Sequence, residues 1–219
     1  MVHASLRRLG PVDGGAEGVL QGLRIALGPS GTMLMVLAAD DDEPFDRLTS
    51  PADPDVGTLA EVFRQHPDAA VNDNPACRFG AWGPAAAALL EPQPVDDYYG
   101  PGSPLARQTE HGGAVLRLGA DIDTVTLTHH AEYLADVPDK QRAQRTYVRA
   151  DVGEVLIESL DDTDGIAEWP PGDYFSQILR EFIADGHAVV GPVGGCTAEL
   201  LEARRFVEFA TSWMETHLG

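Results

Sequence analysis

Residues 14–28 read Gly-Gly-Ala-Glu-Gly-Val-Leu-Gln-Gly-Leu-Arg-Ile-Ala-Leu-Gly, and residues 32–39 read Thr-Met-Leu-Met-Val-Leu-Ala-Ala. In the first stretch Val19, Leu23 and Ala26/Leu27 recur at helical spacing, and Gly28-Pro29 ends the run. The second is short and uninterruptedly apolar, as a strand buried on both faces would be. Residues 1–6 look like the end of another strand, so strand, helix and buried strand follow one another as at the start of a βαβ unit. This order predicts an α/β fold with a mixed, largely parallel sheet flanked by helices.

Downstream, residues 40–58 are acidic and proline-bearing and are expected to form a loop. Short helices are expected at 58–65 and 84–90. Residues 92–107 carry Pro92, Pro94, Gly100, Pro101, Gly102 and Pro104 and read as a long irregular stretch, a length that usually serves function. Ala114 to Gly119 reads as a buried strand, helical periodicity begins near 129–134, and residues 146–160 alternate like strands. An amphipathic helix is expected at 173–185, with Tyr174, Phe175, Ile178, Leu179 and Phe182 on one face. A closing helix is expected at 199–217, with Phe206, Phe209, Trp213 and Met214 inward. No repeat or linker divides the chain, so residues 1–219 are read as a single domain.

Of the 219 residues, 43% are hydrophobic, enough to bury a sizeable core. The 35 Asp and Glu against 15 Lys and Arg leave a net charge of −20. That excess repels phosphate backbones and anionic headgroups, which argues against nucleic-acid and membrane partners, and it would draw in a cationic one; composition alone favours the blander reading, surface acid that keeps the protein soluble. Cys77 and Cys196 show no metal-like pairing, and no signal-peptide core or long apolar run occurs, so the default compartment is a reducing cytoplasm.

The most chemically loaded segment is Thr126-Leu127-Thr128-His129-His130-Ala131-Glu132-Tyr133. On a helix His129 and Glu132 share a face, so the carboxylate can accept from one imidazole nitrogen and leave the other available as a base. The hydroxyls of Thr126 and Thr128 are expected just before the helix, whose free N–H groups suit a developing oxyanion. A structural His–Glu pair is the bland alternative. Metal ligation by His129, His130 and Glu132 is weakly supported, because neighbouring helix positions point apart and no other cluster completes a shell; no metal is expected. No Gly-x-Ser-x-Gly, Gly-x-Gly-x-x-Gly or Walker-type element appears, which removes support for a Ser hydrolase, a dinucleotide enzyme or a P-loop phosphotransferase.

Ordered pieces along nearly the whole chain resemble the aminoglycoside 3-N-acetyltransferase family, the acetyl-CoA-dependent enzymes whose fold is distinct from GNAT acetyltransferases. They are residues 2–17 (Val-His-Ala-Ser-Leu-Arg-Arg-Leu-Gly-Pro-Val-Asp-Gly-Gly-Ala-Glu), 27–33, 41–46 (Asp-Asp-Glu-Pro-Phe-Asp), 81–84 (Ala-Trp-Gly-Pro), 102–107 (Gly-Ser-Pro-Leu-Ala-Arg), 123–133 and 191–195 (Gly-Pro-Val-Gly-Gly). The resemblance implies an antibiotic-resistance acyltransferase that acetylates the 3-amino group of the 2-deoxystreptamine ring by direct transfer. In it His129 matches the general base, Glu132 the orienting carboxylate, and His130 a variable position. It further implies acetyl-CoA contacts from Ser5, Arg7, Ser103, Arg107 and Thr126, and a polycationic acceptor received by Asp41 and Asp162. Asp161 and Asp164 are expected to serve the Asp-rich turn itself.

Two departures qualify the resemblance. Family members usually begin with a helix and half a strand before the Val-His-Ala-Ser segment, and that portion is absent here, as a downstream start assignment or a truncated form would leave it. Asn74-Pro75 stands where many relatives have His-Pro, a change expected to alter the acceptor pocket. The alternatives are an acetyltransferase for a different amine metabolite and a non-catalytic, truncated relative that binds polyamines or drugs.

Overall fold

Helix α2 (Gly15–Leu27) and strand β2 (Met33–Val36) form where periodicity places them, after a short strand β1 (Val2–Ala4) and a single turn α1 (Leu6–Leu9). The computed structural model describes residues 1–39 and 43–219. A 3₁₀ turn (Pro54–Val56) leads into α3 (Thr58–Gln65), followed by β3 (Ala70–Val71), β4 (Phe79–Trp82) and α4 (Ala86–Leu89). Then come α5 (Pro104–Glu110), β5 (Ala114–Leu118), α6 (Leu127–Leu134), the strands β6 (Arg142–Arg149) and β7 (Gly153–Leu160), and α7 (Tyr174–Ala184). Strands β8 (Ala188–Val193) and β9 (Cys196–Glu202) run into the last helix, α8 (Ala203–His217).

The architecture is α/β with helices flanking the sheet, but the largely parallel arrangement expected from the sequence is corrected. Among the described residues the named strands form sheets in the orders β1-β5-β9-β8, β2-β4-β3 and β6-β7, and only β1 and β5 pair in parallel. The cause is local. Residues 150–152 and Gly194-Gly195 connect neighbouring strands too briefly for a crossover, so each forms an antiparallel hairpin. Strand β2 packs against β1 without joining its ladder: it pairs antiparallel with β4, Met33 opposite Trp82.

Two further expectations change. Residues 199–202 belong to β9, paired with β5 and β8, and the closing helix starts only at Ala203. The proline-rich stretch contains a helix start, with Ser103 as N-cap and Pro104 in the first turn, where a missing N–H costs nothing. Strand β8 lies at the sheet edge and keeps Val189, Val190 and Val193 exposed.

Two cores flank the four-stranded sheet. The larger gathers Val115 and Leu201 of the sheet with Leu105, Leu127, Ile178, Phe182, Phe206 and Met214. The smaller joins Val2, Leu20, Met33, Leu59, Phe63 and Trp82. Gly194 ties hairpin β8–β9 to the N-terminal turn: its φ is 56°, and a Cβ there would lie 2.5 Å from the Leu9 carbonyl oxygen. That approach lets the Gly195 N–H donate to Leu9 O at 2.7 Å and holds α1 in place.

The connection from β5 to α6 is fixed by a buried cation. Arg117 is 1% exposed and donates through Nε to Thr124 O and through Nη2 to Ala120 O and Asp121 O, while Nη1 pairs with Glu199 at 3.1 Å. Arg8 holds the same turn from outside, donating to Gly119 O and pairing with Asp121. Removing one partner from a buried ionic network typically costs about 3–5 kcal/mol. Arg117→Ala is therefore expected to lose stability of that order in urea denaturation, with Arg117→Lys intermediate, since an ammonium keeps the charge but not the fork.

Candidate active site

Helix α6 displays the pair expected from spacing. His129 Nδ1 lies 2.9 Å from Glu132 Oε2, and the carboxylate is 1% exposed against 16% for the imidazole. A carboxylate so deeply buried needs strong partners, and it has two: Nδ1–H of His129, and on Oε1 the Tyr174 hydroxyl of α7. The Tyr174 oxygen in turn accepts the Ile166 N–H at 3.0 Å. The imidazole is clamped flat on Tyr99, with ring centroids 4.9 Å apart and planes 9° apart, and tilted against Phe175 at 4.8 Å. With Nδ1 committed, Nε2 has no partner among the described residues.

Burial alone would lower the imidazole pKa. The hydrogen bond to Glu132 and the negative charges of Glu132 and Asp162 outweigh it, so the pKa stands above the ordinary histidine value. The geometry supplies an oriented imidazole on a rigid ring. His130 faces another way: its Nδ1 meets the Tyr99 carbonyl at 2.9 Å, and the histidine is buried. Thr126 precedes the helix, but Thr128 lies in its first turn. The N–H groups of Thr128 and His129 are taken by Val125 O and Thr126 O.

His129 opens onto a cleft of about 630 Å³ whose wall is acidic, lined among others by Asp123, Asp162, Asp164, Glu168 and Asp173. These carboxylates differ in what they already hold. Asp162 accepts from Tyr98 Oη at 2.7 Å and pairs with Arg145, and Asp173 caps α7 through Phe175 N and Ser176 N. Among the described residues the Asp123 carboxylate accepts only from the Thr124 hydroxyl, at 3.2 Å. Among the described residues Asp164 and Glu168 show no ion pair or side-chain hydrogen bond.

A second cavity, of about 380 Å³, adjoins the first at Thr124, which lines both. It is bordered by Ser5, Arg7 and Thr126, with His3, Asp55 and Asp121 also on its wall. Arg7 has no ion-pair partner among the described residues, whereas its neighbour Arg8 is paired with Asp121. His3 is 8% exposed, burial holds its pKa down at about 3, and its Nε2 has no partner, so a neutral imidazole completes this wall.

A family model described as aminoglycoside 3-N-acetyltransferase matches residues 1–215. The chain belongs to the aminoglycoside 3-N-acetyltransferase family. Aminoglycoside N(3)-acetyltransferase III of Serratia marcescens is 36% identical over 100% of this chain and 91% of its own length. The solved structure of AAC-IIIb in binary complex with CoASH superposes with a TM-score of 0.95 at 35% identity, covering 100% of this chain and 90% of that one. AAC-VIa bound to sisomicin gives a TM-score of 0.91 at 31% identity, covering 100% and 91%.

Within this acetyltransferase-family fold, the site residues expected from sequence separate into groups. His129, Glu132 and Asp162 belong to the acidic cleft and its base, and Ser5, Arg7 and Thr126 to the adjoining cavity. Ser103 and Arg107 lie on neither wall. Ser103 is fully buried, caps α5 through Ala106 N and donates to Tyr99 O, thereby seating the ring that stacks on His129. Arg107 spends its guanidinium on the carbonyls of Leu89, Glu91 and Pro92. Asp41 lies outside the described residues. Asn74 is buried in a local turn, its Oδ1 accepting from Ala76 N and Cys77 N, and is not part of the cleft wall.

Sequence reasoning missed Tyr174 and Tyr99, and gave Asp164 only to its own turn. The sequence did carry one signal for Tyr174: a phenol on the inward face of an amphipathic helix requires a buried partner. Glu132→Gln removes the negative charge that holds the His129 pKa up and leaves burial dominant. The imidazole of this variant is expected to titrate below the ordinary histidine value, and NMR titration of ring-labelled histidine measures it.

Proposed function

We propose that the chain transfers the acetyl group of acetyl-CoA to the 3-amino group of the 2-deoxystreptamine ring of an aminoglycoside, by direct transfer with His129 as general base. One observation carries this reading: His129, whose Nε2 has no partner among the described residues, lines a cleft with carboxylates that hold no ion pair there, and that cleft adjoins a cavity bordered by Arg7, which likewise has no ion-pair partner among the described residues. A base between a cation-attracting wall and an anion-attracting wall suits a reaction between a polyamine and a phosphate-bearing acyl donor. The CoASH held by AAC-IIIb and the sisomicin held by AAC-VIa, both on this fold, support the pairing.

The donor set of the second cavity fits the cofactor. The Ser5 and Thr126 hydroxyls can bond amides of an extended arm, and the planar fork of Arg7 matches phosphate oxygens. When bound, acetyl-CoA supplies a thioester carbonyl as acyl donor. The protein's part is proton management and placement. An ammonium has no lone pair to donate, so His129 must accept a proton from the amine at Nε2, and Glu132 stabilises the imidazolium that results. On the acceptor side Asp123, Asp164 and Glu168 are the carboxylates best able to take ammonium groups. Asp162 adds field beside His129 although Arg145 already shares its charge. An exposed carboxylate–ammonium contact is worth about 0.2–1 kcal/mol, so several acting together orient a polycation.

Incubation with acetyl-CoA and 2-deoxystreptamine drugs should release CoA, followed with a thiol reagent. His129→Ala should lower the rate by about 10²–10⁴-fold while keeping the fold. Absence of CoA release from the wild type with every drug, or an active His129→Ala, would overturn the reading. The two walls should also separate kinetically. Asp164→Asn with Glu168→Gln is expected to raise KM for the drug about tenfold or more with little change for acetyl-CoA, and Arg7→Ala is expected to do the reverse.

A further inference from the structure

Tyr174 stands where two parts of the site meet. Its hydroxyl donates to Glu132 Oε1 on α6, and its oxygen accepts the backbone N–H of Ile166 at 3.0 Å. Ile166 closes the turn that carries Asp161, Asp162 and Asp164, two of which line the acidic cleft. The turn presses directly on the phenol: Gly165 has a φ of 83°, and a Cβ there would come within 2.5 Å of the Tyr174 oxygen. Only a glycine lets the backbone pass this close, so the turn is built against the hydroxyl. Tyr174 is 5% exposed, and burial with the nearby Glu132 charge holds its pKa far above the ordinary tyrosine value, so it remains a donor throughout.

We infer that Tyr174 is a positioning residue that couples the acidic acceptor turn to the proton-accepting pair, through the chain Ile166 N–H, Tyr174 O–H, Glu132 carboxylate, His129 imidazole. The inference rests on the function proposed above for the pair. Each hydrogen bond in such a chain polarises the next. A turn drawn closer by a bound ammonium strengthens the Ile166 donor, makes Tyr174 a better donor, and withdraws charge from Glu132. A turn held less closely leaves more charge on the carboxylate facing His129, and the imidazole becomes more basic. Substrate seating is thereby reported to the base through Tyr174, a residue on the cleft wall that does not hold the reacting proton.

Several groups surround the pair. Tyr99 packs on His129 from the 98–99 segment, Asp162 and its partner Arg145 approach from the acidic turn and β6, and Asp173 and Tyr174 come from α7. Lys140 feels the Glu132 charge from the segment before β6. Among them only Tyr174 donates to the second oxygen of Glu132.

The test is NMR titration of His129 in the resting protein, alongside the pH profile of kcat/KM. Tyr174→Phe deletes the donor and is expected to raise the His129 pKa by about half a pH unit or more. The ascending limb of kcat/KM should move up by the same amount. Site-specific 3-fluorotyrosine at position 174, a more acidic phenol that keeps the packing, should shift both readouts the other way. A purely structural role would lower the thermal midpoint of Tyr174→Phe and leave the titration in place. An unmoved His129 titration in the folded variant, or shifts of the same sign in both, would overturn the inference. If Tyr174→Phe fails to fold, the fluorotyrosine protein decides alone, a downward shift supporting the coupling and no shift refuting it. Because the titration needs no turnover, a wild type that releases no CoA would defeat the proposed function without deciding this coupling.

Discussion

The guanidinium of Arg117 is the constraint from which the site is built. It sits on β5, beside the single parallel pairing of named strands, and satisfies backbone carbonyls at both ends of the turn that follows. Those carbonyls form a fixed template, so the turn cannot drift from the sheet without stranding a buried charge. Thr124, at the end of that turn, borders both cavities, and α6 begins three residues later. The imidazole of His129 on α6 therefore inherits its position from the sheet through one side chain. Arg8 doubles the restraint on the outer side and leaves Arg7 alone to face the second cavity.

A second buried charge, Glu132, does for chemistry what Arg117 does for placement. A carboxylate removed from water tolerates only strong donors, and each of its oxygens has one. The ring it orients is held on both sides by aromatic surfaces, and Tyr99 is itself positioned because its carbonyl receives Ser103 and His130. Side chains in neighbouring layers thus fix the imidazole on the cleft wall, with Nε2 unpartnered among the described residues.

How far this was legible in the sequence depends on the range of each interaction. Helices α2, α3 and α7 were readable because their punctuation and their periodicity agree: Gly28 stops α2 and Asp173 caps α7 through its own carboxylate. The His129–Glu132 pair was readable because three residues on a helix decide it. Strand β9 was absorbed into the closing helix because Leu200 and Leu201 suit either period, and only pairing with β5 and β8 makes them a strand. Helix α5 was hidden because prolines that signal irregular chain also signal the first turn of a helix. The Tyr174–Glu132 bond spans 42 positions, and the carbonyls that occupy Arg107 come from a segment 15–18 residues away. Neither leaves a local trace. The two arginines of the Arg7-Arg8 pair look equivalent in sequence, and only the fold distinguishes Arg8, paired with Asp121, from Arg7, which has no ion-pair partner among the described residues.

The edge strand β8 gives the acidic surface a further meaning. Ala188–Val193 carries no charge, and Val189, Val190 and Val193 are 72%, 49% and 43% exposed on a strand whose outer side is open in the sheet order. Such an edge invites another strand, and Pro192 removes only one of its donors. Mutual repulsion between bodies that each carry an excess of 20 negative charges opposes that pairing between copies. Colloidal stability and the cation recognition proposed for the cleft draw on the same kind of charge. Acidification that protonates them, or a dense layer of bound polycation, would silence the repulsion and leave the bare edge exposed to its own kind.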